Sequence, residues 1–192
     1  MGVAMRTKLI VFITVVGLGI VGALGWVGYQ VFTTGFSAKM EPHPIEVFLA
    51  RQIRHLAIPV ERRNTPNPVP RTPDMMNETL AHFADHCATC HANDGSGQTQ
   101  IGKNVYPKAP DLRSADTQSM SDGEIFWVIH NGIRFTAMPA WGENDLDNDV
   151  GSWKLVHFIR HLPQLTQEEL NRMKTFNPKS PAAAQSDGGH HH

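Results

Sequence analysis

Apolar residues are distributed along this chain in three ways. From Leu9 to Phe32 they run almost without a break, LIVFITVVGLGIVGALGWVGYQVF, with Thr14 and Gln30 the clearly polar members. About 20 such residues suffice for a helix that crosses a membrane. Between Pro44 and Pro59 the pattern changes to helical spacing. Ile45, Phe48, Leu49, Ile53 and Leu56 share one face, and Arg51, Arg54 and His55 decorate the rest, which predicts a short amphipathic helix. Beyond residue 73 the pattern predicts four helices. The first spans Met75–Thr89. The second, Ser121–Asn131, opens on Ser121 with Glu124 three residues on, stops before Gly132, and turns Ile125, Val128 and Ile129 inward. The third spans Asp147–His161 and is stopped by Pro163. A short fourth opens at Thr166-Gln167-Glu168-Glu169 and reaches about Thr175.

Charge sharpens these boundaries. The net charge is −1, yet residues 1–73 carry eight Lys/Arg against three Asp/Glu, and residues 74–192 carry nine against fifteen. Four regions follow: a cytoplasmic start and transmembrane anchor at 1–36, a connecting segment at 37–73, a globular domain at 74–176 and a polar tail at 177–192 expected to be disordered. Arg6 and Lys8 precede the apolar run and no charge follows until Lys39. The positive-inside rule then exports everything after the run. A cleaved signal peptide is the competing reading, but its apolar region is usually only about 7–15 residues. Pro42, Pro44, Pro59, Pro66, Pro68, Pro70 and Pro73 mark the connecting segment as an extended tether in its later half, with little regular structure expected from Glu61 to Pro73. Its amphipathic helix could lie on anionic lipid, pack on a partner subunit or cover its own domain. No basic patch interleaves with aromatics, which argues against nucleic-acid binding.

The only two cysteines stand three apart, in His86-Cys87-Ala88-Thr89-Cys90-His91. Cys-x-x-Cys-His is the attachment signature of c-type haem. Two thiols at this spacing on a helix end face the same side and can each bond one vinyl group. His91 then offers its imidazole to the iron. A thioredoxin-like pair would need a βαβ setting, and no strand pattern surrounds these residues. Structural zinc would need two further ligands, for which His82 and His86 stand upstream. The adjoining His91 and the export signal favour one covalently bound haem c.

From Met75 to Pro163 the chain resembles the small monohaem cytochromes of the mitochondrial cytochrome c type (class I). The resemblance rests on HFADHCATCHANDGSG, with Phe83 four residues before the first cysteine, on Tyr106-Pro107-Lys108-Ala109-Pro110-Asp111-Leu112, and on Gly132-Ile133-Arg134-Phe135-Thr136-Ala137-Met138-Pro139-Ala140-Trp141. It implies an all-α cytochrome c fold, three core helices around the haem, preceded here by a transmembrane helix. It also implies roles. Phe83 would meet Leu155 and Phe158 where the terminal helices cross. The Pro110 carbonyl would orient the His91 ring, and Leu112 would pack on the porphyrin. Met138 would be the second axial ligand, with Met120 or a histidine as the alternative. Tyr106, Arg134 and Trp141 are candidate donors to the haem propionates.

An iron held by His91 and Met138 has no open position for a substrate, so the chain reads as a carrier of single electrons and not as an enzyme. The expected partners are the membrane itself and a redox complex: a quinol-oxidising complex, a terminal oxidase or a photosynthetic reaction centre. The expected location is a bacterial inner membrane, single-pass, with the haem domain in the periplasm or otherwise outside the cytoplasm. A haem enzyme or sensor with a displaceable Met138 is the alternative. The acidic run Glu143, Asp145, Asp147, Asp149 follows the Met138 loop and could steer a basic partner. The terminal histidines, 190–192, are either tag or native.

Overall fold

The computed structural model describes residues 3–34, 37–142 and 145–179, and every regular element among them is helical. Glu143 and the terminal histidines fall outside the described residues. The chain divides into two compact units, Met1–Ala38 and Lys39–His192.

The first unit is α1, Val3–Thr34. Its apolar stretch Met5–Thr33 is unburied and long enough to cross a membrane, because nothing in it breaks the backbone ladder and no charge interrupts it after Lys8.

The second unit opens with α2, Pro44–Ala57. Pro44 occupies the first turn, where no N–H is needed, and the His43 ring accepts from Ile45 N. The helix covers its own domain, but with its polar side. Tyr106 donates to Glu46 (2.6 Å), Arg51 pairs with Asp116 (2.5 Å) and His55 with Glu124 (2.6 Å). The apolar face of Ile45, Phe48, Leu49, Ile53 and Leu56 is left exposed. Exposed ion pairs contribute about 0–1 kcal/mol each, so these contacts alone hold α2 weakly.

Where little regular structure was expected, the chain makes a one-turn helix, α3 (Val60–Arg63), and is pinned throughout. Ile58 is buried. Ser121 donates to the Arg63 carbonyl (2.5 Å), and Arg62 pairs with Asp147 (2.6 Å). Gly123 permits this approach, since a Cβ there would lie 2.1 Å from the Arg62 carbonyl oxygen. Residues 64–72 form no regular element but are not loose. Asn67 donates to the Trp153 carbonyl (2.9 Å), and the His157 ring bonds the Val69 carbonyl (2.7 Å). Prolines suit this path, because a residue without an N–H leaves no orphaned donor when it is laid on a surface.

The attachment helix is longer than its apolar pattern predicts. It runs as α4 (Pro73–His82), a π-helical turn (Phe83–Cys87) and α5 (Ala88–His91). Thr72 caps its start, and the Ala88 N–H reaches back five residues to the Phe83 carbonyl. After the one-turn α6 (Ala115–Gln118), α7 (Asp122–Asn131) carries the expected capping box of Ser121 and Glu124 and ends at Gly132. Next, α8 (Val150–His161) starts later than expected, because Asp149 and not Asp147 caps it. A 3-10 turn through Pro163 leads to α9 (Gln167–Phe176), with a capping box of Thr166 and Glu169.

The core lies where α4 and the π turn meet α8. Phe83 and Phe158 are buried with ring centroids 5.0 Å apart, beside Leu80, Leu155 and Val156. Phe126 stacks on Trp153 at 4.1 Å. From α9, Met173 is fully buried in the same cluster. Asn177, placed in the tail by composition, donates to the Ala84 carbonyl (2.9 Å) and pairs with Asn93. Polar composition conceals this contact, because one side chain makes it.

Candidate functional site

An apolar cleft opens between the attachment helix, the 105–112 loop, α7, the 133–141 loop and α8. Cys87, Cys90, His91 and Met138 all line it, with Phe83, Pro110, Leu112 and Trp141. Ile125, Val128 and Ile129 of α7 face it as their spacing predicts. Tyr106 and Arg134 do not line it. Tyr106 donates instead to Glu46, and that bond first, then burial, pushes its phenol up to about 12. Arg134 is exposed.

The helix presents its chemistry in order. The two cysteines are unpaired and partly buried. Burial first, then the neighbouring Cys90, pushes the Cys87 thiol up to about 12. A reactive redox cysteine needs the opposite, a thiolate stabilised by positive surroundings. Among the described residues there is no strand to make a βαβ unit, and no three His, Cys, Asp or Glu side chains group as a metal site. The thioredoxin and zinc readings therefore find no support. His82 and His86 make an edge contact with each other, and His86 lies against Trp141 (5.6 Å).

Burial lowers the pKa of His91, and the Pro110 carbonyl opposes it. That carbonyl acts on the ring without meeting full hydrogen-bond geometry. Nδ1 of His91 is the one buried side-chain polar atom, among the described residues, without a partner. A buried imidazole kept neutral suits a metal ligand. The backbone around it is firm: Gly97 N donates to the His91 carbonyl (2.8 Å), and Leu112 N to the Gly95 carbonyl (2.8 Å).

Across the cleft, Met138 sits on a loop closed by its own backbone. Ile133 N donates to the Met138 carbonyl (3.1 Å), and Met138 N to Thr136 Oγ1 (3.1 Å). Gly132 at φ 65° and Phe135 at φ 62° turn the chain. A Cβ on Gly132 would lie 2.6 Å from the Ala140 nitrogen, so only glycine fits. Trp141 N and Gly142 N return the loop to the Ile129 and His130 carbonyls (both 3.1 Å). His130 then pairs with Asp149 (2.6 Å), which also caps α8. Met120 lines the cleft too, but it packs against the hydrophobic core, as Met138 does not.

Sequence reasoning missed two cations in the lining, Arg54 and Lys108. Lys108 stands inside the Tyr106–Leu112 motif, where no neighbour in sequence marks it as a cleft residue. Arg54 was read as the polar side of an amphipathic helix, and no local signal aims it at the cleft. The donor set as a whole fits haem: two thiols three apart, a buried imidazole, a thioether and apolar walls.

Residues 74–159 match the family described as Cytochrome C oxidase, cbb3-type, subunit III. The match runs from α4 through most of α8 and contains both cysteines, His91, Pro110, Leu112 and Met138, while α1, α2, the extended segment and α9 lie outside it. A cytochrome c domain of this kind implies haem c and electron transfer. Residues 74–159 are therefore a c-type cytochrome domain, in a chain whose described regular elements are all helical and whose N-terminal apolar helix is long enough to cross a membrane.

Proposed function

We propose that this chain is a membrane-tethered monohaem cytochrome that passes single electrons to a membrane redox complex on the exported side. The convergence of Cys87, Cys90, His91 and Met138 on one apolar cleft carries this reading. When bound, haem supplies a one-electron couple whose potential a His/Met ligand pair sets higher than a His/His pair. Cys87 and Cys90 would hold the group to the helix as thioethers, which would keep it on an exported protein. His91, on the helix, and Met138, on the loop, would be the residues that ligate the iron. Phe83, Leu112 and Ile129 exclude water. Ligation by both residues would leave no open position on the iron for a substrate.

The name of the matched family makes a terminal oxidase the first candidate among partners, ahead of a quinol-oxidising complex or a reaction centre. Permanent membership of such a complex suits a connecting segment that is held on its own domain. Lys108 pairs with Glu41, Arg51 with Asp116 and Arg62 with Asp147, and Asn67 donates to the Trp153 carbonyl. Arg6 and Lys8 set the orientation.

Haem staining after denaturing electrophoresis tests the covalent link, and it should vanish in Cys87→Ala/Cys90→Ala. The native protein should be low-spin in both oxidation states and refuse carbon monoxide when reduced. Carbon monoxide binding by the native reduced protein would favour the enzyme or sensor reading. Mild-detergent purification should retain an oxidase.

A further inference from the structure

Among the described residues the cleft is lined by no acid, yet Arg54 enters it from α2. The other polar groups of that helix face are committed: Glu46 to Tyr106, Arg51 to Asp116 and His55 to Glu124. The second cation of the lining, Lys108, pairs with Glu41. Arg54, by contrast, makes no hydrogen bond or ion pair with any described residue, although it is partly buried. Burial lowers its pKa, and Glu124, the next largest influence, opposes this. A guanidinium turned into an apolar cleft is costly unless an anion meets it. No acid lines the cleft among the described residues, and Glu124 and Asp116, the acids that act on Arg54, are already paired with His55 and Arg51, so the anion that would meet it is left to the ligand.

Haem carries two propionate carboxylates, and a planar guanidinium can grip a carboxylate through two parallel N–H donors. We infer that Arg54 binds a haem propionate, so that α2, outside the family-matched segment 74–159, completes the cofactor site. The inference rests on the haem reading above and names a residue for it that replaces Tyr106 and Arg134 as propionate donors. It also explains how a helix with no buried residue and five exposed apolar side chains stays seated: its firmest contact is to the cofactor. The site is thereby tied to the segment that leads to the membrane helix.

The test uses the full-length haem-loaded protein in detergent, with Arg54→Gln, Arg54→Lys and Arg51→Gln compared by spectroelectrochemical titration. Losing a cation beside a propionate favours the more positive ferric state. Arg54→Gln should lower the equilibrium constant for reduction by about tenfold, or ~59 mV for a one-electron couple. Arg54→Lys should recover most of that shift. Arg51→Gln removes the same charge one turn away, from an exposed pair, and should shift the constant less than about threefold. An unchanged potential in Arg54→Gln, or an equal fall in Arg51→Gln, overturns the inference. Absence of covalent haem from the wild-type chain would overturn the haem reading itself, and the haem stain of the same samples separates the two failures.

Discussion

The two walls of the cleft are built on opposite plans. The attachment wall is one helix from Pro73 to His91, backed by Phe158, Leu155 and Met173 and tied at its far side by Asn177. Phe83, in its π turn, is only 1% exposed. The Met138 wall is a loop. Its tip residue, Phe135, is 93% exposed and left-handed, and the loop holds its shape through a few backbone bonds and the His130–Asp149 pair. The first wall draws its geometry from core packing, so it should tolerate little. The second draws it from turns and hydrogen bonds, so it should move at smaller cost. The proposed covalent links would fall on the rigid side and the proposed Met138 ligand on the soft side.

The strongest way to break the comparison is to remove the haem. Cys87→Ala/Cys90→Ala should leave a chain without a cooperative thermal transition, because a domain of this size has a marginal core without the cofactor's apolar mass. Near-native circular dichroism of that variant would refute this. Within the rigid wall, Phe83→Ala should cost about 3–5 kcal/mol in denaturant melts, since both it and Phe158 are buried. A loss under 1 kcal/mol would show that the wall is not core.

The soft wall should respond less. In Gly132→Ala a Cβ would press on the backbone of residues 138–140; the expected loss is about 2–3 kcal/mol, together with a weakened Met–iron charge-transfer band. Asp149→Asn keeps an N-cap of similar quality but removes the charge facing His130, for about 1–2 kcal/mol. Burial works to raise the Asp149 pKa, but the bonds from Ser152 and His130 outweigh it and hold the group below its ordinary value. A carboxylate depressed in the folded state stabilises fully above about pH 4, and that contribution is lost as pH falls through its lowered value. The acid limb of the wild-type melt should therefore flatten in Asp149→Asn. Met138→Ala should cost least, about 1 kcal/mol, while its ferrous form becomes able to bind carbon monoxide. If Met138→Ala destabilises as much as Phe83→Ala, the two walls are not distinct.

Legibility followed the same line. That Cys87, Cys90 and His91 share one cleft could be read because residues three and four apart on a helix end face the same side. Local rules likewise gave the capping box at Ser121, the stop at Gly132 and the inward side chains of α7. The meeting of Phe83 with Phe158 came from family resemblance and not from any local pattern. The π turn had no visible signal, since one extra residue in a helix leaves composition unchanged.

The sequence by itself determined the class of protein: an unbroken apolar run long enough for a membrane and a haem motif. Both are statements about neighbours within a few residues, where geometry is set by the chain. Only the tertiary structure decided how the 37–73 segment is used. Periodicity assigns Ile45 to Leu56 to one face of α2, but it cannot say which face meets the domain, and the outcome reverses the usual choice. Partners dozens of residues away decided it: Tyr106, Asp116 and Glu124 took the polar side, and an acid-free cleft received Arg54.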